Sequence, residues 1–285
     1  CYWLKCYEIP EGDKNFKGRA IQNMLNIEPD DSVNAMLRLR GLNDEEFVNS
    51  HYVVFATKNG TIKKTCLEAY SRPRTNGVNA INIVEGDEVV DVRLTNGKNE
   101  IILANRNGRA VRFDENTVRA MGRVSTGVRG MQLDGDDDQV VGMIIVNDAE
   151  TETVMVVSEN GYGKRSQVED YRKTNRGGKG VKTFSITEKT GRLVAIKNVT
   201  DDNDLMIINK SGIAIRLAVS DCRVMGRATQ GVRLINLSKK NDVIASVCKV
   251  MSSELEAKLA DDNASTESEA TEATEANEAK PENEK

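Results

Sequence analysis

Arg176, Gly177, Gly178, Lys179 and Gly180 form a run of bases and glycines, with Arg172 and Lys173 just before it. These residue types suit a phosphate. Glycines let the main chain come close and aim N–H groups outward, while guanidinium and ammonium groups answer the charge of nonbridging oxygens. The run is not a nucleotide P-loop, because Lys179 is followed by Gly180 instead of Ser or Thr and no glycine stands at the required distance upstream. Other chemistries are poorly served. His51 is the sole histidine, so neither a Ser/His/Asp nor a Cys/His constellation can be assembled. Cys1, Cys6, Cys66, Cys222 and Cys248 show no pairwise metal-ligand spacing, which argues against a zinc site and a disulfide framework and for a reducing cytoplasm. Asp136, Asp137 and Asp138 read as solvated charge in a turn.

The basic run belongs to a repeat. A turn dipeptide, Asn59-Gly60, Asn107-Gly108, Asn160-Gly161 or Ser211-Gly212, recurs every 48 to 53 residues, each time after an apolar run and before a mixed basic strand. Asn-Gly at such a junction predicts a two-residue hairpin turn. A second glycine follows 17 to 19 residues later, at Gly77, Gly127, Gly180 and Gly231, and Val comes next every time. The bases keep register too. Lys64, Arg112, Arg165 and Arg216 stand four residues after the turn glycines. Arg119 and Arg123, Arg172 and Arg176, and Arg223 and Arg227 stand eight and four residues before the loop glycines, and the copy around Gly77 carries Arg72 and Arg74 instead. Stacked repeats place equivalent positions along one edge, so in-register cations are expected to form a continuous band. The simpler reading of such bases is that they discourage pairing between exposed strand edges.

The elements that must hold this band are strands. Runs such as Val53–Phe55, Ile101–Leu103, Val154–Val157 and Leu205–Ile208 are apolar throughout, as inner strands covered on both faces should be. Full copies are expected at about 51–94, 100–146, 153–199 and 204–250, with a looser copy in the first 50 residues that includes strands over Cys1–Glu8 and Val33–Leu39. Spacing back from Gly18 puts that copy's turn glycine just before Cys1, so the chain reads as starting inside a repeat. The expected fold is all-β, a propeller-like disc of four-stranded blades with about five of six blades present, spanning residues 1–253. Acidic turns at Glu85–Glu88 and Asp134–Asp138 are expected to lie away from the basic band.

Charge divides the chain. Residues 254–285 carry eleven acids against three bases, a net of −8, and are too poor in apolar residues to order, whereas residues 1–253 carry 37 bases against 33 acids, a net of +4. A basic body with a disordered acidic tail suits a polyanion partner. Aromatic residues make up only 4% of the chain, so stacking on individual bases is disfavoured and backbone-directed duplex binding is favoured. No apolar run approaches the length of a membrane span, and no membrane partner is expected.

The stretch Tyr171–Gly180, together with Ala56–Thr65 (ATKNGTIKKT), Val118–Gly130 (VRAMGRVSTGVRG) and Asn160–Arg165 (NGYGKR), closely resembles the C-terminal domain family of the DNA gyrase A subunit. The resemblance covers roughly residues 1–250 and implies a β-pinwheel of six four-stranded blades whose basic outer edge wraps duplex DNA. It further implies a place in an A2B2 assembly with the gyrase B subunit plus the rest of the A subunit, which together form an ATP-dependent type II topoisomerase of the bacterial cytoplasm and nucleoid that introduces negative supercoils. The attacking tyrosine, ATP and Mg2+ of that family lie outside such a domain, so no catalytic residue and no cofactor is assigned here. The family's signature loop reads Gln-Arg-Arg-Gly-Gly-Lys-Gly and sits in the first blade. Here Thr174 and Asn175 replace its first two residues, and the match lies in a later blade. A topoisomerase IV domain that selects DNA crossings and a propeller that docks proteins are the alternatives. An acidic tail beside a basic band is expected to compete for it. Deleting the residues after Ser253 should therefore tighten duplex binding several-fold at low salt, and unchanged affinity in a fluorescence titration would remove the idea.

Overall fold

In the computed structural model, which describes residues 1–13, 16–28, 31–39, 41–237 and 242–252, the apolar runs ahead of the turn glycines are strands, largely covered on both faces. The expected acidic tail lies outside the described residues. The first repeat supplies β1 (Tyr52–Thr57), β2 (Thr61–Cys66) and β3 (Val89–Thr95); the second supplies β4 (Glu100–Asn105), β5 (Arg109–Asp114), the two-residue β6 (Val128–Arg129) and β7 (Val140–Val146). The third contributes β8 (Thr153–Ser158), β9 (Tyr162–Gln167), β10 (Val181–Lys182) and β11 (Leu193–Val199), and the fourth β12 (Asn203–Asn209), β13 (Ala214–Ala218), β14 (Val232–Arg233) and β15 (Ile244–Met251). All the pairings of these strands are antiparallel.

The strands form four blades, ordered β3-β1-β2-β6, β7-β4-β5-β10, β11-β8-β9-β14 and β15-β12-β13. In each, the last long strand of the repeat lies inside: β3 touches β7, β7 touches β11 and β11 touches β15. Outermost is a short strand borrowed from the next repeat, as β6, β10 and β14 pair with β2, β5 and β9. Side-chain alternation then explains the double burial. Ile101 and Leu103 join Val54, Ile62 and Met143 between the first and second blades, while Ile102 and Ala104 join Val154, Val156 and Phe184 between the second and third. Met155, Val157, Leu205, Ile207 and Val247 fill the next interface.

Two sequence expectations are corrected. The turns at Gly60, Gly108 and Gly161 are three-residue connections, not two: the glycine carries the positive φ, and its N–H bonds the last carbonyl of the preceding strand, Thr57, Asn105 or Ser158, at 3.0–3.1 Å. Such a left-handed glycine after a three-residue turn is the other common way to close a hairpin. The fifth blade is not built, since Cys1–Glu8 and Val33–Leu39 form no strands. A strand needs hydrogen-bonded neighbours. Here Cys1 trades main-chain bonds with Val78, while Trp3, Leu37 and Leu39 pack on the cluster of Val48, Val53, Phe55, Leu67 and Tyr70. The chain enters β1 from a short helix, α1 (Glu45–Ser50), whose first turn is capped by the Asp44 carboxylate accepting from the Phe47 N–H at 3.1 Å.

The borrowed strands fix the loop glycines. At Gly180, φ is +72° and an added Cβ would lie 2.2 Å from the Ala110 carbonyl oxygen, whereas one at Gly178 would meet nothing closer than 3.9 Å. Gly180→Ala should destabilise the fold by about 1–3 kcal/mol through strain and clash, and Gly178→Ala should stay within about 0.5 kcal/mol. Urea unfolding of the two variants checks the contrast.

Candidate nucleic-acid interface

The residues four after each turn glycine sit on β2, β5, β9 and β13, and the first three reach the following repeat. Lys64 is 4% exposed, and its Nζ donates to the Glu115 carbonyl at 3.1 Å and lies 3.5 Å from the Glu115 carboxylate. Arg112 donates to the carbonyls of Val168 and Tyr171 at 2.9 and 3.1 Å and to Glu100 at 2.5 Å. Arg165, 5% exposed, reaches the carbonyls of Val219 and Cys222 and the Asp201 carboxylate at 2.7 Å. Arg216 bonds Asp204 and the Met251 carbonyl, each at 2.7 Å. The expected place of Lys64, Arg112 and Arg165 on an open band is thus corrected, whereas Arg216 is exposed. Lys64, Arg112 and Arg165 grip the 3-10 turn of the following repeat, at Glu115–Thr117, Val168–Asp170 and Val219–Asp221, and the buried carbonyls there need such donors.

The loops divide differently. Arg119, Arg172 and Arg223 are exposed at equivalent positions, as are Arg72 and Arg74 in the first repeat's loop. Arg123, Arg176 and Arg227, four residues further on in the same three loops, are half-buried. Arg176 donates through Nε to the Thr117 carbonyl at 2.9 Å and through Nη1 to the Arg129 carbonyl at 3.0 Å. Arg227 repeats this on Asp170 and Lys182 at 2.9 and 2.6 Å.

In the glycine loop, the Gly177 N–H donates to the Gly130 carbonyl at 2.7 Å and the Gly178 carbonyl accepts from Gln132 at 3.0 Å. Lys173 bridges Glu100 and Asp114 at 2.9 and 3.3 Å, and these contacts raise its pKa. Lys179 lies 2.6 Å from Asp134, whose pKa the lysine holds down. An acidic turn therefore reaches the basic loop, contrary to the sequence expectation. Asp138 also departs from its reading as solvated charge. It is 5% exposed and accepts from the side-chain amide of Asn105 and the backbone N–H groups of Asn107 and Asp134.

Sequence reasoning missed two sets of bases. Arg129, Lys182 and Arg233 are exposed on the borrowed strands, each two residues after a loop glycine. The fixed spacing was available as a signal. Lys63 and Lys164, at 0% and 1% exposure, stand three residues after a turn glycine, where other repeats carry Val111 and Ile215. The Lys63 ammonium donates to the carbonyls of Ala80 and Arg123, and that of Lys164 to the Gly226 carbonyl at 2.7 Å. Both lie beneath a loop of the next repeat with no carboxylate paired to them among the described residues. Burial pushes the Lys63 pKa down to about 8, helped by the nearby Arg123. Burial likewise brings Lys164 to about 7, with Asp170 opposing and Arg227 and Lys182 adding to the fall.

A family model described as DNA gyrase C-terminal domain, beta-propeller, matches residues 51–96, 99–147, 152–200 and 203–248, one match to each repeat. The chain belongs to the DNA gyrase C-terminal domain family. The DNA gyrase A proteins of Staphylococcus aureus strains MRSA252 and NCTC 8325 are 43% identical over 249 residues, covering 87% of this chain and 27% of the relatives' length. A solved C-terminal domain of DNA topoisomerase IV superposes with TM-score 0.75 at 27% identity over 86% of this chain and 74% of that one. A solved DNA gyrase A C-terminal domain gives TM-score 0.74 at 24% identity over 88% and 78%, a likeness of fold. The resemblance read from the loop and turn motifs is borne out, as is the β-pinwheel fold. Among the described residues of this gyrase C-terminal domain, no helix is long and apolar enough to cross a membrane. Among those same described residues, no group of three or more His, Cys, Asp or Glu side chains is placed to hold a metal ion.

The two buried lysines give stability a pH dependence. Unfolded, Lys164 keeps its proton up to its ordinary value near 10.5; folded, it releases it near 7, so between these values the unfolded chain binds more protons. Stability contributed at this site therefore rises with pH through that window. Wild type should gain on Lys164→Met between about pH 7 and about pH 9.5 in urea unfolding, and a constant difference would contradict the assignment.

Proposed function

We propose that the chain binds duplex DNA along the outer edge of its blades, without sequence preference, and wraps it. The observation that carries this is the recurrence of exposed bases at repeat-equivalent outer positions: Arg119, Arg172 and Arg223 on the loops, and Arg129, Lys182 and Arg233 on the borrowed strands. Lys173 and Lys179 join them once phosphate competes with Glu100, Asp114 and Asp134. Arg72 and Arg74 extend the row to the first repeat.

Counterion release supplies the affinity. Each neutralised phosphate adds roughly 0.9 to the slope of log affinity against log salt, so the six recurring bases predict a slope of about −5. Bending a duplex against its stiffness costs up to about 10 kcal/mol per site. No single loop can offset that, and several blades must bind together.

In the parent protein this domain would hold DNA for a type II topoisomerase, with gyrase B in an A2B2 assembly in the cytoplasm, at the nucleoid. ATP and Mg2+ would be used elsewhere in that assembly. Wrapping would present a positive crossing and bias strand passage toward negative supercoils. The likeness to a topoisomerase IV domain supports a second reading, selection of crossings without wrapping.

Relaxing a plasmid with a separate nicking-closing enzyme in the presence of this chain decides between them. Wrapping should leave topoisomers of raised linking number in proportion to protein bound. Binding with an unshifted distribution would favour selection of crossings, and no binding at moderate salt would remove both.

A further inference from the structure

Arg176 and Arg227 share one geometry that a phosphate-contacting side chain has no need of. Thr117 and Arg129, the two carbonyls that Arg176 grips, stand just before and just after the loop 119–127 of the preceding repeat. Asp170 and Lys182, gripped by Arg227, stand in the same way at the two ends of the loop 172–180. Each arginine thus closes the stem of the loop before its own, using two N–H groups of its planar fork on two carbonyls. Lysine, with one rotatable ammonium on a flexible stem, does not match that pair of acceptors in one plane. One of the two carbonyls always belongs to an exposed base, Arg129 or Lys182, on a borrowed strand.

From this geometry we infer that Arg176 and Arg227 are positioning residues that clasp the preceding loop and aim Arg129 and Lys182 outward, while those two bases make the phosphate contacts. Cooperation between blades then has a material basis, because the loops 119–127 and 172–180 are each held by the next one along the edge. The inference rests on the DNA-binding reading for its second half only. The clasp itself exists in the free protein and can be tested there.

Hydrogen exchange of the whole chain without DNA tests the clasp. Arg227→Ala should raise amide exchange across residues 170–182, a blade away from the substitution, and Arg176→Ala should do so across 117–129. Unchanged exchange in those segments would overturn the clasp. Duplex binding tests the division of roles. Arg227→Lys should weaken affinity as much as Arg227→Ala, by about tenfold, since charge without the fork does not close the stem. Arg129→Ala and Lys182→Ala should each lower the salt slope by roughly 0.9 with exchange unaltered. Recovery of wild-type affinity by Arg227→Lys would instead make Arg227 a phosphate contact and overturn the division. Raised exchange in a chain that binds no DNA would confirm the clasp and remove the function.

Discussion

An outer strand with an unpaired edge is the constraint on which this structure turns. Each repeat makes a hairpin and a returning inner strand, and this leaves the outward edge of β2, β5 and β9 without hydrogen-bond partners of its own. The next repeat supplies them. Its two-residue strand pairs there, and the carbonyl of the turn glycine takes two further N–H groups: Gly60 from Gly130 and Met131, Gly108 from Thr183 and Phe184, and Gly161 from Leu234 and Ile235, at 2.8–3.3 Å. Unpaired strand edges invite association with other chains. Covering them from the neighbouring repeat removes that hazard and ties the array together.

Much of this was legible because it depends on local rules. The turn glycine and the second glycine marked every repeat, and apolar runs such as Ile101–Leu103 marked strands covered on both sides. The hidden part concerns partners. Nothing in the spacing of Val128 and Arg129 says that they pair with Ile62 and Thr61, 66 and 68 residues earlier. The short strands became visible only as part of another repeat's sheet. The same blindness affected the first 50 residues, whose apolar pattern suggested strands that found no neighbour with which to form a sheet.

The bases show why register alone is an ambiguous sign of ligand binding. Arg165 and Arg172 both recur at fixed spacing, yet one is buried on carbonyls and an aspartate while the other is open to solvent. A repeating fold repeats its internal needs as faithfully as its external ones. The 3-10 turns after β5, β9 and β13 bury carbonyls that require a donor, and Lys64, Arg112 and Arg165, each four residues past the turn glycine of the preceding repeat, meet that need. What separates the two roles is the neighbouring backbone, and sequence spacing does not display it. Lys63 and Lys164 make the point from the other side, because Val111 and Ile215 fill the same position and show that the fold does not demand a charge there.

The joining of blades and the basic outer edge are therefore one structure. β6, β10 and β14 complete a neighbour's sheet with their main chains and carry Arg129, Lys182 and Arg233 outward on their side chains. On the proposed reading, a phosphate pulling on Lys182 would pull on a strand hydrogen-bonded to Arg109 and Ala110 of one repeat and, through Arg227, on the loop of another. The pull of a stiff duplex at Arg129 or Lys182 would thus be spread over three repeats. A ring held only by side-chain packing between blades would concentrate the same load on apolar surfaces, which resist sliding poorly because their attraction is not directional. Directional main-chain bonds at the perimeter are the arrangement that would let short loops hold a bent polymer without the blades coming apart.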